Sequence, residues 1–158
     1  MKEMISTPIG EIELEVVNGV LMGVEFESRA RSSLEKTKMG KSVEDANVMK
    51  KLKQEMKEYF EKKRKSFSIE YGLAGTTFQK KVWQVISNIP YGQTMTYKEI
   101  AQELGNEKAY RAVANACGAN PIPIVIPCHR VVGSNGGLGG YSGGLWRKKW
   151  LLEWEKVN

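Results

Sequence analysis

Residues 96–118 leave this chain few ways to fold. Thr96-Tyr97-Lys98-Glu99 has the form of a capping box, in which the threonine hydroxyl and the glutamate carboxylate each satisfy an amide at a helix start. That helix ends at Leu104-Gly105, and after Asn106 a second one runs to about Cys117-Gly118. Two short helices joined by a glycine-containing turn of about three residues make a helix-turn-helix. Upstream, Thr76 or Thr77 can cap a helix that sets Phe78, Val82, Trp83, Ile86 and Ile89 on one face and stops at Pro90-Tyr91-Gly92. Downstream, Pro121 to Pro127 reads as apolar, extended and stiff. Val131-Val132, a Gly-rich loop over 133–140 and Tyr141 follow, and a last amphipathic helix over about 145–156 carries Trp150, Leu151 and Trp154. A helix-turn-helix followed by a strand and loop points to a winged variant.

The first half is punctuated differently. Residues 11–17 alternate polar and apolar, Asn18-Gly19 is a strong hairpin signal, and 20–26 supply the return strand. A polar stretch over 28–42 reads as a loop. From Val43 to about Lys62, Val48, Leu52, Met56, Tyr59 and Phe60 recur at helical spacing, and Phe67 to Ile69 reads as a short strand. Gly72–Gly75 then marks a boundary. The expected class is α+β, with a small sheet-plus-helix domain over 1–75 and a mainly helical domain over 76–158.

The chain has 158 residues, 41% apolar and 27% charged, which suits globular structure and excludes disordered or fibrous architectures. No apolar run approaches the roughly 20 residues that span a bilayer, and Met1-Lys2-Glu3-Met4 opens no signal-peptide core, so a cytoplasmic protein with no membrane partner is expected. Two cysteines and one histidine cannot build a four-ligand Cys/His zinc site, and no metal or cofactor is expected. The net charge is +6 and unevenly placed: residues 1–75 hold 14 Lys+Arg against 13 Asp+Glu, and residues 76–158 hold 10 against 5. The second half is therefore the candidate for a polyanionic partner.

Chemistry concentrates in Ile126-Pro127-Cys128-His129-Arg130-Val131-Val132. A cysteine is nucleophilic as thiolate and needs a base or positive neighbours, which His129 and Arg130 offer within two residues. A core cysteine beside a satisfied histidine is the plainer reading of an arbitrary Cys-His pair. Adjacent residues of an extended strand also point to opposite sides, so a Cys-His pairing needs a turn here or a relaying water. Pro123 and Pro127 stiffen the approach and remove two donors, and the later glycines let backbone come close to a flat ligand. The cysteine is expected ionised at the bottom of a cleft. Cys117 reads as a packing residue.

The stretch RAVANACGANPIPIVIPCHRV followed by GGLGGYSGGLWRKKWLLEWE resembles the O6-alkylguanine-DNA alkyltransferases, also called methylated-DNA–protein-cysteine methyltransferases. The likeness covers about residues 76–158; the first 75 residues fit the family's variable, RNase H-like N-terminal domain only in length and element order. It implies that Cys128 accepts the alkyl group from O6 of guanine by direct displacement. His129 takes the thiol proton through a water, and Glu155 orients and charge-balances the imidazole. It further implies that Asn120 ties the helix-turn-helix to the active-site turn, and that Tyr97 helps the purine leave. Tyr141, Val131, Ser142 and Gly143 fall where the purine pocket is lined, with the Ser142 amide facing O6.

No second activated nucleophile is visible to release the alkyl group, so one turnover per molecule is expected. The expected partner is double-stranded DNA holding alkylated guanine, entered from the minor groove. The resemblance implies that Arg111 takes the place of an everted base and that Tyr97 also meets the DNA, and the small Ala112 and Ala114 suit close approach. A monomer suffices for this chemistry. A winged-helix lesion sensor without chemistry and a cysteine hydrolase are the alternatives; the retained Cys128, His129 and Glu155 favour transfer over the first, and the lack of another histidine counts against the second.

Overall fold

The computed structural model describes residues 1–27 and 42–156, which fall into two compact units, Met1–Leu73 and Ala74–Asn158. In the first, β1 (Lys2–Thr7), β2 (Gly10–Val17) and β3 (Val20–Phe26) form an antiparallel sheet in that order. The Asn18-Gly19 turn has φ of 51° and 79°, the left-handed pair that a two-residue hairpin demands. Ser42 caps α1 (Val43–Phe60) by accepting from the Asp45 amide, and Asp45 Oδ1 accepts from Gly19 N at 2.7 Å, tying the hairpin to the helix start. Met49, Leu52, Met56 and Tyr59 of α1 are buried, as are Ile12, Leu14 and Val16 of β2. The rest of the expected 28–42 loop lies outside the described residues.

The strand expected at Phe67 to Ile69 does not form. Buried Glu55 accepts from both the amide and the hydroxyl of Ser68, which removes that donor from any ladder. Contact with β3 comes two residues later instead, where Leu21 N donates to Glu70 O at 2.9 Å and Gly72 N donates to Leu21 O at 3.0 Å.

In the second unit Thr76 is the cap of α2 (Thr77–Ser87), with Gln79 returning the bond. Trp83 Nε1, inside the core, donates to Ala116 O at 2.8 Å and fixes α2 against α4 (Tyr110–Gly118). Thr96 and Glu99 form the expected capping box on α3 (Tyr97–Glu103), and Gly105 takes φ of 86° in the turn that follows. A 3-10 turn over Glu107–Ala109 then leads into α4. The strand after the helix pair, β5 (Val131–Val132), pairs in parallel with β4 (Met95–Thr96), so the wing strand lies beside the entry to α3. The chain closes with α5 (Leu145–Lys156).

The segment 121–127 is not extended as expected; it is a tight turn. Asn120 Oδ1 accepts from Ile122 N at 3.0 Å, Asn120 Nδ2 donates to Ile126 O at 2.9 Å, and Ile126 N donates to Ile122 O at 3.0 Å. Three prolines deprive the segment of ladder donors, and one buried side chain supplies the bonds that bend it. The bend forces Ile124 to φ of +75°, a conformation costly for a β-branched residue.

Candidate active site

The bend delivers Cys128–Arg130 as a single 3-10 turn, all three residues buried. A turn rather than a strand lets neighbouring side chains serve one site. His129 Nε2 lies 2.7 Å from Glu155 Oε2 with both side chains sealed from solvent. Arg130 grips the same carboxylate twice, Nε to Oε1 at 2.7 Å and Nη2 to Oε2 at 2.9 Å, and its Nη1 donates to Ile89 O at 2.7 Å. The guanidinium and imidazole together hold Glu155 well below the usual carboxylate range, against the opposing pull of burial. With the carboxylate ionised, Nε2 carries the proton and donates, and Nδ1 is left as an acceptor. Nδ1 is buried with no hydrogen-bond partner among the described residues.

Burial also lowers the His129 pKa, outweighing Glu155, whose charge is already shared with Arg130. In an unfolded chain histidine titrates near 6.5, so below that pH the unfolded state takes a proton that the folded state resists. Stability is expected to fall as pH drops from about 6.5, at a slope of at most about 1.4 kcal/mol per unit, and further below the glutamate range as Glu155 is forced to protonate. Thermal unfolding compared at pH 7 and pH 5 checks this; equal midpoints would contradict it.

Cys128 is 4% exposed yet lines a cleft of about 270 Å³, near the lower end of small-ligand pockets. Tyr97, Tyr141 and Gly140 form other walls, and α4 contributes Ala114, Asn115, Cys117 and Gly118. Cys117 is thus a wall of the cleft rather than solely a packing residue, because α4 turns that edge toward the opening. Cys128 is not ionised at rest as expected: burial pushes its thiol up to about 11, opposed by a hydrogen bond from Asn120 and by the Lys148 charge. The expectation counted Arg130 as a positive neighbour, but its charge is committed to Glu155.

The cation whose charge reaches the sulfur is one that sequence reasoning passed over. Lys148 is fully buried; its Nζ donates to Gly140 O at 3.0 Å and to the Tyr97 hydroxyl at 3.4 Å, and no carboxylate pairs with it among the described residues. Burial lowers its pKa while negative charge on Cys128 or Cys117 would raise it, so ammonium and thiolate favour one another. Burial raises the Tyr97 pKa, so this phenol keeps its proton. Lysine on the inward face of a helix three residues before a leucine gave no sign of this in the pattern.

The remaining expected residues fall in three places. Asn120 is buried inside the bend, bonded as described. Val131 is buried in β5, and Ser142 and Gly143 sit in the turn before α5; none of these three is among the residues lining the cleft. Arg111 and Ala112 are exposed on α4, with the Arg111 guanidinium 5.8 Å from the Tyr110 ring centroid, and Ala114 reaches the cleft. No helix among the described residues is long and apolar enough to cross a membrane.

Comparison with known proteins agrees over both units. The family model for the DNA binding domain of 6-O-methylguanine DNA methyltransferase matches residues 77–157, and that for its ribonuclease-like domain matches residues 1–71. The methylated-DNA–protein-cysteine methyltransferase of Methanosarcina barkeri is 47% identical over 116 residues, 73% of either chain. A probable enzyme of the same name from Acanthamoeba polyphaga mimivirus is 59% identical over 91 residues, 58% of this chain and 60% of that one. Among solved structures, Mycobacterium tuberculosis OGT in complex with DNA aligns with a TM-score of 0.85 at 37% identity, covering 98% of this chain and 92% of that one. By the match of both domain models and the identity with these relatives, the chain belongs to the 6-O-methylguanine DNA methyltransferase family.

Proposed function

We propose that this protein repairs DNA by moving an alkyl group from O6 of guanine onto Cys128, once per molecule. The observation that carries the proposal is the sealed His129–Glu155 pair beside a cysteine that opens on a cleft. The lesion enters the cleft everted from the duplex. A water between Cys128 and the bare Nδ1 of His129 takes the thiol proton, and Glu155 holds the imidazolium that forms. The sulfur attacks the alkyl carbon, an S–C bond forms as the C–O bond breaks, and the electron pair leaves on the purine. Tyr97, backed by Lys148, donates a proton or hydrogen bond to that leaving group.

A thiol near 11 is almost wholly protonated at neutral pH, so the resting protein is shielded from adventitious alkylation. Proton removal is coupled to lesion binding, when water leaves and the buried ammonium acts in a drier cleft. The Ser142 amide faces O6, and the Cys128 and Val131 carbonyls accept from the exocyclic amine. The Cys128 carbonyl already takes the Val131 amide, which leaves one lone pair for this. Tyr141, which lines the cleft, completes the purine wall, with Gly143 behind it in the same turn. Incubation with duplex bearing O6-methylguanine is expected to add one methyl group to the peptide containing Cys128 and none thereafter. Many turnovers per protein, or binding without mass gain, would overturn the reading.

Helix α4 enters the minor groove of double-stranded DNA, with Arg111 filling the place of the everted base and Ala112 and Ala114 giving close approach. Phosphate contacts carry most of the affinity, so sequence preference is slight. The protein acts as a monomer, and a genomic substrate makes a cytoplasmic location the expected one. Arg111→Ala should slow repair of duplex at least about tenfold while leaving alkylation by free O6-benzylguanine nearly unchanged, since only the duplex must be opened. Equal losses on both substrates would exclude an extrusion role.

A further inference from the structure

Arg147 and Lys148 are consecutive in α5, both are buried, and each holds one carbonyl of the loop ahead of the helix. Lys148 takes Gly140 O, and Arg147 Nη1 donates to Gly143 O at 2.7 Å. Arg147 is 8% exposed and stacks on Trp146, its guanidinium carbon 4.5 Å from the ring centroid, while Trp146 itself is 55% exposed. Gly144 N donates to Tyr141 O at 2.9 Å, and Gly144 has φ of +94° at a point where a Cβ would lie 3.5 Å from the Trp146 indole. Between the two anchored carbonyls stands Tyr141, a wall of the cleft whose hydroxyl feels both Cys128 and Arg147.

A guanidinium is costly to bury, and an aliphatic side chain would fill the same space. What arginine adds is a directed, charge-assisted hold on one carbonyl, kept in place by a flat stack. We propose that Arg147 is a positioning residue: latched by Trp146, it fixes the loop Tyr141–Gly144 and so sets how large an O6 substituent the cleft accepts. This rests on the function proposed above. Tyr141 borders the space beside the sulfur, where the transferred carbon must sit. A fixed loop seats a methyl group against the thiol; a released loop seats it poorly but recedes before a bulky group.

The test uses the full chain and duplexes holding either O6-methylguanine or O6-benzylguanine, with transfer rates read under single-turnover conditions. Arg147→Met is expected to slow methyl transfer about tenfold and benzyl transfer much less, raising the benzyl-to-methyl ratio. Arg147→Lys keeps a donor for Gly143 and should recover methyl transfer to within about threefold of the unaltered chain. Unchanged rates, or equal losses on both substrates, would overturn the proposal. If the unaltered chain transfers neither group, the functional reading has failed, and hydrogen exchange then judges the latch alone. Faster exchange at 142–144 in Arg147→Met with α2 unaffected supports it; unchanged exchange at 142–144 overturns it.

Discussion

Cys128→Ser is expected to gain no methyl group from O6-methylguanine duplex, with transfer slowed about 10⁴-fold or more. The reason lies in the site's own electrostatics. Burial holds even the cysteine thiol at about 11, and a serine hydroxyl in the same pocket is far harder to ionise and a poorer nucleophile. The oxygen is smaller than sulfur and keeps the hydrogen bond from Asn120, so stability should change by about 1 kcal/mol or less. Lesion-bearing duplex should still bind, because the cleft walls and α4 are untouched. Intact mass and a binding titration on the same preparation check both halves; methyl gain by the serine variant would remove Cys128 from the chemistry.

The second large effect is Glu155→Gln. Its carboxylate answers two buried partners at once, the His129 imidazole at 2.7 Å and the Arg130 guanidinium at 2.7 and 2.9 Å. Removing the charge leaves the Arg130 guanidinium buried without a counter-ion, a change worth about 3 kcal/mol and a fall in Tm of about 6–12 °C. The amide also cannot charge-balance an imidazolium, so methyl transfer should fall about a hundredfold or more at a temperature where the variant remains folded. Loss of stability with full transfer would mean that the pair only holds the turn together.

The parts of the fold legible in the chain were those that local chemistry dictates. Asn18-Gly19 can hardly do other than turn, Thr96 announces a helix with a matching acceptor three residues on, and Thr76 or Thr77 announces another, which the structure assigns to Thr76. Strand β1 carried no such signal: Lys2–Thr7 is short and largely polar, and its pairing with β2 alone makes it a strand. The 121–127 segment misled because three prolines and three isoleucines favour extended chain, whereas a single asparagine side chain closes it into a turn.

The candidate site divides the same way. Cys128 and His129 could be picked out by residue type and Glu155 only through the family resemblance, but not how their charges are shared. Of the three apolar residues that marked α5 as amphipathic, Trp150 and Trp154 are half-buried and stack on each other at 4.9 Å, while Leu151 points inward beside Arg147, Lys148 and Glu155. A helix that buries three charged groups looks inside out to any pattern of periodicity, because what satisfies them are loop carbonyls, a phenol, an imidazole and an arginine from elsewhere in the chain. For that reason the sequence presents Arg130 as the cation near the sulfur and does not single out Lys148.

Glu155 reaches His129 and Arg130 across 26 and 25 residues of chain. Charge balance at the turn therefore exists only while α5 is docked, and any motion that lifts this helix takes the carboxylate from both side chains together. An opening of that kind would dismantle the site without unfolding the sheet and helix of the first unit, so one local event would decide whether the cysteine has its partners.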